Sequence, residues 1–199
     1  KDKITYNHPK DPMDVVTGDI VTYTIRVYNE GDIDGYAQLV SDDIPDGLKF
    51  LPENETNVKY RWVMYDKEGK ETEKVEEAEK ITTDYLSKEQ EEKEGENLLK
   101  AFNKNEEISE TNPDHRDIEV AFEVVEPNGS DKVIINSAQI SEDSDKEGNP
   151  VEDKDSTPDK WVEGEDDQDK EYIKLRYFDL ALRKWVTEAI VIEDGKQTV

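Results

Sequence analysis

Three side chains in this sequence would react together if a fold brought them into a dry interior: the amine of Lys184, the amide of Asn136 and the carboxyl of Asp19. Each sits on the apolar parity of a strand-like run. Asn136 shares its parity with Ile134, Ala138 and Ile140. Lys184 shares one with Phe178, Leu180, Leu182 and Val186, and Asp19 with Val21, Tyr23 and Ile25. A buried amide needs hydrogen-bond partners, and a buried ammonium costs more still. Burial drives a lysine toward its neutral form, which is a nucleophile. An amine, an amide and a proton-shuttling carboxylic acid together can form a Lys–Asn isopeptide bond. Plainer readings stand beside this one. An inward Asn can simply be hydrogen-bonded, a strand-end Lys can snorkel to water, and an Asp after Gly18 can be a turn residue.

A second set of residues suggests metal. Asp143 and Asp145 precede Gly148, and Asp153, Asp155 and Asp159 follow. Spaced carboxylates around a glycine can hold calcium. The spacing does not match an EF-hand loop, because the third spaced acid and the terminal Glu are missing. The alternative is a solvated, self-repelling spacer.

The elements that must position these residues read as strands. Val21, Tyr23, Ile25 and Val27 alternate with Thr22, Thr24 and Arg26 over 19–29, as in a half-buried strand. Asn29–Gly31 and Pro45-Asp46-Gly47 are turn signals. Strands are expected at 36–42, 48–51 and 57–65, the last with Val58, Tyr60, Trp62 and Met64 on one face. Residues 66–116 form a charged insertion, with a surface helix expected at about 87–103 from Ser87 and the acids that follow it. Ile118, Val120, Phe122 and Val124 alternate again. Pro127-Asn128-Gly129 turns the chain, and 132–141 is expected to return as the hairpin partner. Tyr172–Val186 reads as a further strand.

The organisation expected is therefore a β-sandwich over 4–141, an acidic linker over 142–172, and a strand and turn over 173–199. That last piece would either begin a following repeat or fold back onto the first domain. Residues 141–171 hold 14 acids and 4 lysines, which is why they read as a spacer.

Composition excludes several classes of partner. Lys and Arg total 26 against 52 Asp and Glu, a net charge of −26. Phosphate binding needs a basic face, so no nucleic acid is expected, and an anionic membrane surface is disfavoured for the same reason. No apolar run approaches the roughly 20 residues of a membrane span. With no cysteine, disulfides and thiolate chemistry are ruled out. The chain starts at Lys1 without Met, as a fragment does.

Three stretches carry a resemblance. Val-Thr-Gly-Asp-Ile-Val-Thr-Tyr-Thr-Ile-Arg-Val-Tyr-Asn-Glu-Gly (16–31), Asp-Asp-Ile-Pro-Asp-Gly-Leu (42–48) and Ile-Asn-Ser-Ala-Gln-Ile (135–140) resemble the DUF11-type Ig-like repeat of Gram-positive bacterial surface proteins. Phe-Asp-Leu-Ala-Leu-Arg-Lys (178–184) resembles the opening strand of isopeptide-forming adhesin and pilin domains. The resemblance covers about 14–51 and 118–141, with 66–116 outside the common pattern. It implies an Ig-like antiparallel sandwich in which Lys184 is the isopeptide donor, Asn136 the acceptor and Asp19 the assisting acid. Lys184 follows Asn136, whereas the family places the donor first. The chain would then be cut out of register with its repeats.

The function expected is a non-enzymatic structural module of an extracellular, cell-wall or cell-surface protein, with neighbouring repeats of the same protein as partners. No cofactor is expected beyond the calcium considered above. The alternative is an adhesin module that binds host matrix protein or glycan. With 52 acids, carboxylate pairs are unavoidable and do not point to a glycosidase. No catalytic constellation for an external substrate stands out.

Overall fold

The computed structural model describes residues 10–151, 167–177, 180–193 and 196–198. Among them the chain is mainly β. The strands are β1 (Met13–Val15), β2 (Ile20–Tyr28), β3 (Gly35–Asp43), β4 (Leu48–Phe50), β5 (Val63–Asp66), β6 (Ala78–Thr83), β7 (His115–Val124), β8 (Val133–Asp145), β9 (Gln168–Leu175), β10 (Val191–Glu193) and β11 (Lys196–Thr198). A six-stranded sheet in the order β1-β9-β8-β3-β6-β5 packs over a three-stranded sheet in the order β2-β7-β4. Among the described residues, strands β10 and β11 pair only with each other.

The period-2 pattern of β2 explains its place. Tyr23 and Val27 are buried, Val21 and Ile25 are half-buried, and Thr22, Thr24 and Arg26 face solvent. β7 is the central strand of its sheet, and Ile118, Val120, Phe122 and Val124 are fully buried. Phe122 meets Tyr23 and Phe50 edge-on, each at 6.0 Å between ring centres. Across the core stand Val40, Ile81, Ile134, Ile173 and Leu175 of the larger sheet.

The two turn motifs meet each other. Asp46 accepts hydrogen bonds from the Asn128 backbone N–H (2.8 Å) and side-chain amide (2.9 Å). Gly47 has φ +97°, which favours glycine, and a Cβ there would meet Ile134 Cδ1 at 2.5 Å and force that side chain to shift.

Several expectations are corrected. Residues 132–141 do not return beside β7. After the Pro127–Gly129 turn the chain crosses to the other sheet, where β8 pairs with β3 and β9. Residues 57–65 are not one strand, because Asn54 caps a short helix, α1 (Glu55–Lys59), by accepting from the Thr56 N–H. The buried residue of α1 is Asn57. It donates to the carbonyls of Leu51 and Ala121 and accepts from the Ala121 N–H, all at 2.8 Å, so it stands in for a strand partner beside β7. Asn57→Ala strands these backbone groups. We expect a loss of about 2–3 kcal/mol in denaturant unfolding, against under about 1 kcal/mol for the exposed neighbour Val58→Ala.

No helix forms over 87–103. Glu89, Glu91, Glu92, Glu94 and Glu96 repel one another at helical spacings, Gly95 takes φ +78°, and the apolar residues cluster at one end instead of forming a stripe. Side chains hold this segment by its backbone instead. Asn97 donates to the Tyr85 and Ser87 carbonyls, and Arg116 to those of Glu96 and Leu98. Leu99 docks against Gly35 through backbone hydrogen bonds in both directions.

The acidic stretch begins and ends inside the sheet. Glu142–Asp145 complete β8, and β9 lies between β8 and β1. The strand expected at 172–186 ends at Leu175. Beyond it, residues 180–190 form no regular secondary structure, are exposed and lie outside either large sheet.

Candidate functional site

The inward face shared by β3 and β8 carries an acid–amide pair. The antiparallel register sets Asp42 opposite Ala138, so Asn136, two residues further along β8, is its diagonal neighbour on the same face. Both side chains are buried, Asp42 at 1% and Asn136 at 4% exposure. The Asn136 amide nitrogen Nδ2 donates to Asp42 Oδ1 at 2.8 Å and to the Asp43 carbonyl at 3.3 Å. Asp42 Oδ2 has no hydrogen-bond partner among the described residues.

Tyr23 brings a third polar group from the facing sheet. Its hydroxyl is also buried without a partner. Burial pushes the Asp42 carboxyl well above the usual carboxylate range. The Asn136 hydrogen bond opposes this, and the nearby charge of Asp43 adds to it. Burial likewise raises the Tyr23 phenol, with the charges of Asp42 and Glu171 contributing. The site therefore favours a protonated carboxylic acid against an amide, with one carboxyl oxygen and one phenol open to a further partner.

This arrangement can polarise the amide and move a proton. Asp42 Oδ1 lies against the nitrogen that would leave Asn136 if an amine attacked Cγ. The acid gives its proton to that leaving nitrogen, and the carboxylate so formed takes one from the incoming amine, for which Oδ2 is the open position. One carboxyl can thus serve both transfers and end in its starting state.

The sequence-derived residues separate. Asn136 is inward, as its parity indicates. Asp19 is not: it is exposed, and its Oδ2 accepts from the Val16 N–H at 2.9 Å in the turn that enters β2. The parity of β2 does not extend to it, because Gly18 (φ +94°) and Asp19 belong to that turn. The inward acid is Asp42, which strand reading passed over because it sits beside the Pro45 turn. The signal was available: Asp42 shares its parity with the buried Val40. Lys184 lies in the exposed 180–190 segment and is not brought to Asn136. Phe178, on its parity, lies outside the described residues.

Of the proposed calcium ligands, Asp153, Asp155 and Asp159 lie outside the described residues. Asp145 accepts from the Asn149 N–H at 2.8 Å and from its side chain, so it closes the turn after β8. Asp143 sits in β8 opposite Ala37. No cluster of three or more His, Cys, Asp or Glu suited to a metal occurs among the described residues. No helix there is long and apolar enough to cross a membrane.

No family model matches the chain, and no curated protein matches it.

Proposed function

We propose that this chain is a non-enzymatic structural module of a bacterial cell-surface protein, an Ig-like sandwich built to be closed by a Lys–Asn isopeptide bond. The observation that carries this reading is the buried Asp42–Asn136 pair, with its 2.8 Å hydrogen bond and one open carboxyl oxygen. A carboxyl oxygen left without a partner in the core is costly. An incoming lysine amine would satisfy it.

In the bond-forming step the neutral amine of Lys184 attacks Asn136 Cγ. Asp42, protonated at the start, gives its proton to Nδ2 and takes one from Nζ, so it ends protonated. The Cγ–Nδ2 bond breaks, ammonia leaves, and a Cγ–Nζ amide remains. The reaction needs no oxidant and turns over once. A chain cross-linked in this way, with no cysteine, would gain the kind of covalent staple that disulfides give other extracellular modules.

Surface placement is tested by antibody labelling of intact cells carrying the parent protein. Labelling before lysis is expected, and labelling only after lysis contradicts it. A binding panel of matrix proteins and glycans should stay silent; saturable binding to one of them would turn the reading toward an adhesin.

A further inference from the structure

β2 has a strand on one side only. It pairs with β7 through all nine of its residues, from Ile20 opposite Glu123 to Tyr28 opposite His115, and no strand lies along its other edge among the described residues. Its core-facing side is correspondingly incomplete. Tyr23 and Val27 are buried, but Val21 and Ile25 are only half-buried and pack on the margin of the core. An open edge beside a half-covered apolar face is a template for another strand.

The same chain carries an unpaired segment of the matching kind. Leu180, Leu182 and Val186 are 79%, 89% and 82% exposed, and they alternate with Ala181, Arg183 and Trp185. The charged residues of 180–190 are Arg183, Lys184 and Glu188, a net charge of +1 on a chain of net charge −26. The two basic side chains offset, at the contact, part of the repulsion between copies that each carry −26.

We infer that the open edge of β2 accepts residues 180–190 of a second copy as an added antiparallel strand. One register satisfies both partners. Val186 lies opposite Val21, Lys184 opposite Tyr23, Leu182 opposite Ile25 and Leu180 opposite Val27. Leu180, Leu182 and Val186 then complete the cover over the half-buried residues. Lys184 enters at the level of Tyr23, toward the open hydroxyl and the open oxygen of Asp42. Each copy has one acceptor edge and one donor segment, so the contact is head-to-tail and builds rings or chains of copies. In a protein made of such modules in tandem, the neighbouring module is the natural donor.

The inference rests on strand pairing and does not require the covalent bond. It is tested with the full chain by light scattering after size exclusion, over a range of concentrations, with amide exchange read in parallel. Dimers and larger assemblies that grow with concentration are expected, with slowed exchange in both 20–28 and 180–190. Leu182→Asp leaves the acceptor edge intact and, because Leu182 is exposed, should fold normally and run as a monomer. A wild-type chain that stays monomeric at every concentration overturns the proposal. So does slowed exchange in 180–190 that is independent of concentration, which would mean that the segment folds back on its own chain. Assembly unaffected by Leu182→Asp overturns it as well. Assemblies whose chains keep their full mass would uphold the strand pairing and refute the isopeptide reading. A monomer lighter by one ammonia would do the reverse.

Discussion

Asn136→Ala is expected to lower the stability of the folded chain by about 2–4 kcal/mol in denaturant unfolding, the range for a core amide whose partner is left buried and unpaired. The loss comes from two sources. The Asn136 amide donates to Asp42 Oδ1 and the Asp43 carbonyl, and alanine removes both bonds. Asp42, at 1% exposure, then has neither oxygen satisfied. Asn136→Asp separates packing from hydrogen bonding, because it keeps the shape but sets a second acid against Asp42. It should be as damaging as alanine at neutral pH and recover in acid, where one carboxyl can hold the proton the pair needs. Equal stability of wild type and Asn136→Ala would show that the pair contributes nothing to the core.

Asp42→Asn is expected to remove a pH dependence that the wild type must have. The Asp42 carboxyl titrates well above its ordinary value in the fold, chiefly through burial. In the unfolded chain it ionises near the ordinary value of 3.8. Between those two values the folded state holds a proton that the unfolded state has released. Stability contributed by this group is therefore full below the unfolded pKa. It falls as pH rises toward the folded pKa, by up to about 1.4 kcal/mol per pH unit. Other charged groups add their own dependence in a chain of net charge −26, so the informative quantity is the difference between wild type and Asp42→Asn. That difference should grow in favour of the variant as pH rises from 4 upward. Parallel curves would mean that Asp42 is not held protonated.

Much of the sheet was legible from alternation. The core-facing residues of β2 and β7 follow from parity alone, because each strand packs one face on the core. The inward position of Asn136 follows in the same way. Pairing was not legible. Whether β8 lies beside β7 or crosses to the other sheet depends on contacts between distant segments that periodicity does not encode. Propensity misled at two places. Val58, Tyr60, Trp62 and Met64 alternate like a strand, yet the Asn54 cap and the buried Asn57 turn the first part into a helix that props β7. The acids after Ser87 look like a helix start, yet their mutual repulsion and Gly95 leave a loop pinned by Asn97 and Arg116.

The acid of the site was missed for a similar reason. Asp19 lies on the right parity but outside the strand, in a turn whose N–H group it satisfies. Asp42 lies on the right parity inside the strand, in a motif that reads as the approach to a turn. The proposed amine, Lys184, is exposed, and the proposed route to the site is the open edge of β2.

The most direct test of the acceptor site is the intact mass of the folded and then denatured chain, followed by a peptide map around Asn136. The account predicts a branched peptide joining Asn136 to Lys184, one ammonia lighter per junction, that disappears in both Asn136→Ala and Asp42→Ala. A wild-type chain of unshifted mass, with Asn136 recovered only in its unmodified linear peptide, would contradict it.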